Sequence, residues 1–543
     1  MVKRALQKLQ STLLGGALII GIASVISRFI GLVRDNLLAK TFGPDMTLKA
    51  YYAAFKFPDF IFNIIVLGAL SAAFIPTFLE VWHKKKKESW VVVNTLMNSL
   101  LIAVIVLIAF GYYFAPEIVS ATVMRYGSEA DKALTVEFMR VMIFGVFFFT
   151  LSNIFAGVLS SFKKFFIYSL GPIFYNVGII VGIVWFTQIW GDIGLAYGVL
   201  FGAFLHFIVQ LPAVIKSGWR PRIVLKLRDK YVKQIYRLML PRSIALGVTQ
   251  INIIIITMIA SGLGESAIPV WNWAENIQQF PINVFGVSLA LSAFPVFSTA
   301  YALRDKTKFL DCFSVSFRRI LFFIIPFSIA ILLLRAQLVR LILGSFGGGM
   351  FGWDATIMTA QTLGYFSISM FAQASIPLLA RTFFAQQNTK IPVIISIFSM
   401  LLNAILAWYL AGIMGVYGLA LAFSIASLIN MLLLLSTLRV KFGYLDDKKI
   451  IDSVWKIIAA SLVMGIAMQG MKYFVAPIVD MKTFIGIFIQ TVVAIAVGGI
   501  VYLLIALKFK FEEVDLVIAW IKKALSSLSN GDDESEKNEA NKC

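Results

Sequence analysis

Apolar runs too long and too unbroken for a water-soluble core recur along this chain, as in Ile102–Phe114, Val141–Phe155, Ile320–Leu334 and Phe484–Leu507. Lipid is the solvent that suits them, and it accepts only segments that satisfy their own backbone, which means helices or closed barrels. Barrel strands alternate polar and apolar side chains over about ten positions, and these runs do not alternate. They are helices. Composition agrees, with 59% hydrophobic and 14% charged residues, where a soluble domain carries about 25% charged.

The formal charge of +20 is not spread evenly. Basic residues cluster between alternate apolar runs, at Lys84–Lys87, Lys163–Lys164, Lys216–Arg242, Arg304–Arg319 and Arg439–Lys449, while Gly191–Gly194, Gly262–Ala267 and Gly412–Tyr417 lack them. This is the positive-inside pattern, and it puts both termini of a multi-pass membrane protein in the cytoplasm. No soluble basic domain exists to hold a nucleic acid. Lys3, Arg4 and Lys8 open like a signal peptide, but Arg28 interrupts the following run and no small-residue cleavage site follows, so a retained first helix is expected.

At about twenty residues per span, helices are expected near 13–33, 50–82, 90–114, 135–160, 166–190, 194–216, 238–263, 270–302, 314–344, 357–385, 390–411, 415–438, 450–475 and 482–508. Phe57-Pro58 in the second span has a counterpart in Phe280-Pro281 of the eighth. Each is followed by a glycine and a second proline, Gly68…Pro76 and Gly286…Pro295. Ser160–Asn176 echoes Gln387–Asn403 more weakly. The expected fold is an all-α polytopic membrane protein with two six-helix lobes in parallel pseudo-repeat around a central cavity, plus two C-terminal transmembrane helices. Residues 1–216 form the first lobe, 217–237 a cytoplasmic basic amphipathic linker, and 238–440 the second lobe. Helices thirteen and fourteen occupy 441–508, and 509–543 hold an interfacial helix followed by a disordered acidic tail.

No Walker A, HExxH or GxSxG sequence is present. The two histidines, His83 and His206, cannot furnish a His-based metal site, and Cys312 and Cys543 have no metal-like spacing. Neither an enzyme, a metal nor a cofactor is indicated, and the driving force falls to an ion gradient, the membrane potential or the substrate gradient. The informative residues are ionisable groups within apolar helices, which are expensive in lipid and so face a partner or a cavity. Arg28 and Arg34 are six apart, about 240° around an ideal helix, so both cannot point into one narrow cavity without a bend. Arg34 and Asp35 lie near the expected outer end of the first span, within reach of the headgroups. Lys56 and Asp59 flank Pro58 at a spacing that permits a local ion pair, with gating as the other role. Glu275, with Asn276 beside it, offers a cation- or proton-coupling group, or a helix-entry acid interacting with the dipole.

Ser27-Arg28-Phe29-Ile30-Gly31-Leu32-Val33-Arg34-Asp35 resembles the first-helix signature of the MurJ/MviN family, and Ala54–Pro58 with Gly68–Pro76 resembles its second helix. Gln250-Ile251-Asn252, Phe280-Pro281…Phe285-Gly286-Val287 and Ala380-Arg381…Thr389-Lys390-Ile391-Pro392 resemble its later spans, in order, over about 500 residues. The resemblance implies a member of the multidrug/oligosaccharidyl-lipid/polysaccharide exporter superfamily. Such a protein flips an undecaprenyl-diphosphate-linked peptidoglycan precursor by alternating access, with a cationic cavity for the diphosphate and a tail groove on helices thirteen and fourteen. Arg28, Arg34, Asp35 and Lys56 would line that cavity, and Asp59, Glu275 and Asn276 would serve gating or ion coupling. The partners implied are the lipid-linked anionic glycan precursor, membrane lipids and a coupling cation or the membrane potential.

The chain departs from that pattern. Phe62-Asn63 replaces a pair of arginines, Leu67 a glutamate, Lys49 an aspartate, and Glu275-Asn276 an Asp-Arg pair. Each lost phosphate contact removes a charge-assisted bond of about 1.5–3 kcal/mol, which Arg28, Arg34, Lys49 and Lys56 are left to supply. The competing functions are a lipid-linked oligosaccharide or O-antigen exporter, a drug/cation antiporter coupled through Asp59 and Glu275, and a non-transporting scaffold. For the topology, a reporter fused after Lys508 is expected to be active in the cytoplasm, and periplasmic activity there overturns the even number of spans.

Overall fold

The computed structural model describes residues 13–67, 74–344 and 348–514. Gly68–Ala73 of the second-span motif, the interfacial helix beyond Val514, the acidic tail and Cys543 lie outside the described residues. Among those described, eleven helices are long and apolar enough to cross a bilayer, and Trp353–Ser367 with Met370–Ala385, bent by 47°, makes a twelfth. No strand occurs among them.

One of the eleven, Phe165–Lys216, has 52 residues, about 78 Å of helix against a hydrocarbon core of about 30 Å. It is folded back on itself at Gly191, whose φ of +64 suits a residue without a Cβ. A Cβ on Gly178 would lie 2.3 Å from the Gly202 Cα, and one on Gly182 would lie 2.6 Å from the Gly198 Cα. As one partner rises by four the other falls by four, so the two arms are antiparallel. With this hairpin taken as two passes and Leu13–Phe42 included, fourteen passes result. The first helix runs to Phe42 rather than to 33, and it stops where Gly43 takes φ +66. Asp45 then caps Met46–Ala54 by accepting from Thr47 N and Leu48 N at 3.1 and 3.3 Å.

The chain divides into two compact units, Met1–Pro269 with Ile342–Ala355, and Val270–Leu341 with Thr356–Cys543. The long helix Lys230–Ser261 belongs to the first of these. Its Ser243 hydroxyl donates to the Ile64 carbonyl at 2.6 Å, and its Tyr236 hydroxyl lies 2.5 Å from that of Ser99. The segment before it, expected as an amphipathic linker, is extended as far as Lys226. Asn98 Nδ2 donates to the carbonyls of Arg222 and Val224 at 2.8 and 3.1 Å, and the Trp219 indole donates to Asn94 Oδ1 at 3.1 Å. These bonds lay it along the Lys86–Tyr113 helix, and residues 230–237 are the start of the next helix.

Both proline-marked spans contain a π-helical turn, Phe62–Leu67 in one and Ile282–Val287 in the other. From Phe62 to Pro76 is fourteen positions and from Ile282 to Pro295 thirteen. Pro58 to Pro76 is eighteen positions against fourteen from Pro281 to Pro295, and three of the four extra residues lie between Pro58 and Phe62. A proline withholds one N–H and a π turn shifts the hydrogen-bond register, and side chains add bonds to the backbone carbonyls at these turns. Asn63 Nδ2 donates to Asp59 O at 2.8 Å, and Ser288 Oγ donates to Asn283 O at 3.1 Å.

In the second unit the last two long helices, Asp447–Val475 and Phe484–Lys508, pack through Gly498, where a Cβ would lie 2.3 Å from the Met468 side chain. Tyr502 donates to the Phe322 carbonyl at 2.8 Å, and Arg318 bridges Glu512 and Glu513 at 2.8 and 2.7 Å. These bonds fasten the end of the described chain to the Lys306–Leu343 helix.

The hairpin yields a test. Gly178→Leu must push a side chain into the Gly202 backbone, and overpacking of this kind costs about 1–3 kcal/mol or more. Purified Gly178→Leu should melt well below wild type. Gly499→Ala, with nothing within 4 Å of the added Cβ, should be unchanged, and equal melting of both variants overturns the close-packed hairpin.

Candidate functional site

The polar groups of the first unit gather where Leu13–Phe42, Met46–Leu67 and Phe165–Val181 meet. Arg34 sits eight residues before the end of its helix, about 12 Å along the axis from it. Its Nε and Nη2 donate to Asp35 Oδ1 at 3.0 and 2.7 Å, and its Nη1 donates to Asn176 Oδ1 at 2.9 Å. Asn176 Nδ2 donates in turn to Pro172 O at 3.1 Å and to Ser27 O at 3.4 Å, which fixes its orientation. Guanidinium has five N–H donors, and three are used, which leaves one on each terminal nitrogen. Those two remain open to a further acceptor such as a phosphate.

Around this group Tyr51 is buried, and Tyr51 and Tyr175 both act electrostatically with Arg34 and Asp59. Asp59 is half-buried, and Lys56 is the cation acting on it. Arg28, on the other side of the first helix, is exposed among Val25, Phe29 and Leu32 and is not brought to Arg34. The geometry thus joins Arg34, Asp35, Lys56 and Asp59 into one neighbourhood and leaves Arg28 apart.

Lys49 cannot stand in for a missing arginine. Its Nζ pairs with Asp131 Oδ2 at 2.7 Å, with side chains only 3% and 5% exposed. Asp131 also accepts from Ser128 N at 3.0 Å in the capping box that starts Glu129–Met142. Sequence reasoning missed Asp131, whose only signal was the Ser-x-x-Asp spacing. It noticed Asn176 as a repeat marker and not as a partner of Arg34. Near the same end of the unit, Thr47 donates to Asp192 Oδ2 at 2.8 Å. Burial raises the Asp45 carboxyl above its ordinary range against its two backbone bonds, and Asp192 and Glu265 add to the rise.

In the second unit Glu275 is half-buried and Asn276 exposed. Glu275 lies eight residues into the helix Ala267–Pro281, so the reading as a helix-entry acid fails. Below it Gln373 Nε2 donates to Gln278 Oε1 at 3.2 Å and to Ser369 Oγ at 2.9 Å, and Ser369 donates to Ser424 at 2.9 Å. This buried polar chain has no counterpart among the expected site residues. Among the described residues no group of three His, Cys, Asp or Glu could hold a metal ion. His206 bonds the Ser152 hydroxyl through Nδ1, and Gln210 donates to Ser152 at 2.7 Å, which is a packing role.

Many apolar helices, two compact units with proline-marked π turns, and charges held within the spans define a polytopic membrane transporter. Its fold is that of an inward-facing multidrug resistance MATE family transporter of the MOP superfamily, with a TM-score of 0.64 at 18% identity over 80% of this chain and 99% of that one. The chain belongs to the family described as lipid II flippase MurJ, whose model matches residues 38–489. A lipid II flippase MurJ of Burkholderia cenocepacia is 28% identical over 450 residues, 81% of this chain and 87% of the relative. A probable lipid II flippase MurJ of Thermotoga maritima is 27% identical over 497 residues, 92% and 97% of the two chains. The solved structure of a lipid II flippase MurJ in an inward closed conformation matches with a TM-score of 0.75 at 25% identity, over 92% of this chain and all of that one.

The buried ion pair sets a prediction. Lys49→Met leaves the Asp131 charge buried and should cost about 3–5 kcal/mol, read as a lower melting temperature. Lys49→Met/Asp131→Asn removes the charge, keeps a capping oxygen and should recover most of the loss. Equal melting of the two variants overturns the assignment.

Proposed function

We infer that this chain flips lipid II, the undecaprenyl-diphosphate-linked peptidoglycan precursor, across the inner membrane by alternating access. Family membership supports the cargo. The observation that carries the site is the Arg34 guanidinium, embedded in a span and gripped on three of its donors with two left for an anion. Arg34 is the principal diphosphate ligand in this proposal, and Asp35 and Asn176 hold its plane. Lys56 adds positive charge nearby, and Arg28 meets the headgroup at another stage of the cycle. Asp59, Glu275 and Asn276 are assigned to gating or to coupling with a cation or the membrane potential, and helices thirteen and fourteen to the lipid tail. Both termini lie in the cytoplasm, and no catalytic step is involved. With Lys49 already paired, the chain relies on fewer cations than its apparent relatives. An oligosaccharide-lipid exporter, a drug antiporter and a scaffold are not favoured by the family membership.

The test pairs protein level with flipping in cells depleted of their own lipid II flippase. Wild type should restore accessibility of the precursor at the outer face. Arg34→Ala should abolish flipping at normal protein level, and Arg34→Lys should recover part, because lysine keeps the charge but loses the planar fork. A charge-assisted bond of about 1.5–3 kcal/mol corresponds to a loss of roughly 10- to 100-fold per contact. Failure of wild type to complement overturns the function. Full flipping by Arg28→Ala/Arg34→Ala overturns the site alone.

A further inference from the structure

The second unit holds two cations inside its spans that no carboxylate neutralises among the described residues. Arg335 lies on Lys306–Leu343, eight residues before its end, and Lys472 on Asp447–Val475, three before its end. Arg335 is close enough to act electrostatically on Lys472. Yet both bond only to backbone, Arg335 Nη1 to Leu332 O at 2.9 Å and Lys472 Nζ to Leu333 O at 2.7 Å. Three other embedded cations have an acid beside them, as Arg34 has Asp35, Lys49 has Asp131 and Arg318 has Glu513.

Snorkelling is the bland explanation, and the geometry opposes it. A lysine three residues from a helix end reaches water easily, but this one is bent back onto the neighbouring helix. Its own carbonyl accepts from Gln490 Nε2 at 2.9 Å, and Gln490 Oε1 accepts from Gln337 Nε2 at 3.2 Å. Gln490 is 3% exposed, so the cluster is tied down from three helices. Gly364 leaves space for the Arg335 chain, since a Cβ there would lie 3.2 Å from its Cδ. Both cations remain half-exposed, and the buried Gln337 Oε1 has no donor, so a ligand hydroxyl has an acceptor there. Beside them the helices present exposed apolar side chains, including Ile466, Phe474, Ile485 and Phe488.

Two like charges held together in a low-dielectric setting repel, and a phosphate removes that cost by accepting from both. We propose that Arg335 and Lys472 form a lipid-phosphate site in the second unit, at the end that carries the 476–483 turn, with acyl or prenyl chains against the adjoining apolar faces. The site is separate from Arg34 and does not depend on the chain being a flippase. The topology proposed above only decides that it opens to the outer leaflet. The phosphate comes either from a polyprenyl diphosphate or from bulk anionic phospholipid.

The experiment uses the full chain in nanodiscs, in an Arg34→Gln background so that the first-unit site does not contribute. Binding of undecaprenyl diphosphate, phosphatidylglycerol and uncharged undecaprenol is compared. The phosphate lipid should bind at least about tenfold more tightly than undecaprenol. Arg335→Gln/Lys472→Gln should erase that difference, and the charge-keeping Arg335→Lys/Lys472→Arg should retain most of it. Preference for undecaprenyl diphosphate assigns the site to a polyprenyl cargo, and equal binding of phosphatidylglycerol assigns it to bulk lipid. Unchanged phosphate-lipid affinity in the Gln/Gln variant overturns the proposal. If that variant does not fold, photocrosslinking decides, using photoreactive forms of both phosphate lipids on the parent protein. Label on peptides bearing Arg335 or Lys472 supports the site, and label confined elsewhere overturns it.

Discussion

A charge placed in hydrocarbon must bring its partner with it, because an uncompensated ion at mid-bilayer costs about 2.5 kcal/mol or more even on the mildest scales. That constraint organises the polar chemistry of both units. Lys49 meets Asp131 across two helices in an almost dry environment. Arg318 gathers Glu512 and Glu513 from the stretch after the last span. Arg34 takes Asp35 from its own helix and Asn176 from another. Each pair holds elements together as much as it neutralises charge. Arg335 and Lys472, which lie close together with only backbone partners, therefore carry more information than the paired cations.

The same accounting applies to the backbone. Proline and π turns disturb the backbone ladder of these spans, and short polar side chains add bonds to carbonyls nearby. Asn63 serves Asp59, Ser243 serves Ile64 and Ser288 serves Asn283. Asn63 stands where relatives are expected to carry arginine, so here the position serves the chain's own backbone.

The all-helical class, the membrane setting and the placement of most spans were legible in the sequence, because apolar length and basic alternation are one-dimensional signals. The proline pair even located a local irregularity in each repeat. What escaped was pairing across distance. Nothing near Lys49 announces Asp131, 82 positions away, and nothing near Arg34 announces Asn176, 142 positions away. The length of the first helix was misjudged because Arg34 and Asp35 looked like its end. Their charges cancel within the fold, and the helix runs on to Gly43. Residues 217–237 were expected as one basic amphipathic linker, and asparagine side chains on a neighbouring helix hold 219–224 outside any helix while 230–237 open the next one.

The glycine-lined hairpin has a consequence for how Arg34 is held. With Gly178 against Gly202 and Gly182 against Gly198, its two arms have almost no slack and must translate as one plate. Asn176 stands two residues from that contact, so one side of the guanidinium is mounted on this close-packed pair of arms. The π turn at Phe62–Leu67 lies on the span that carries Lys56 and Asp59. Within that turn the hydrogen-bond register differs from that of the α-helix before it. In the anion site proposed for Arg34, the hairpin is the fixed jaw of a vice, and the opposite jaw is the span whose hydrogen-bond register is broken by the π turn.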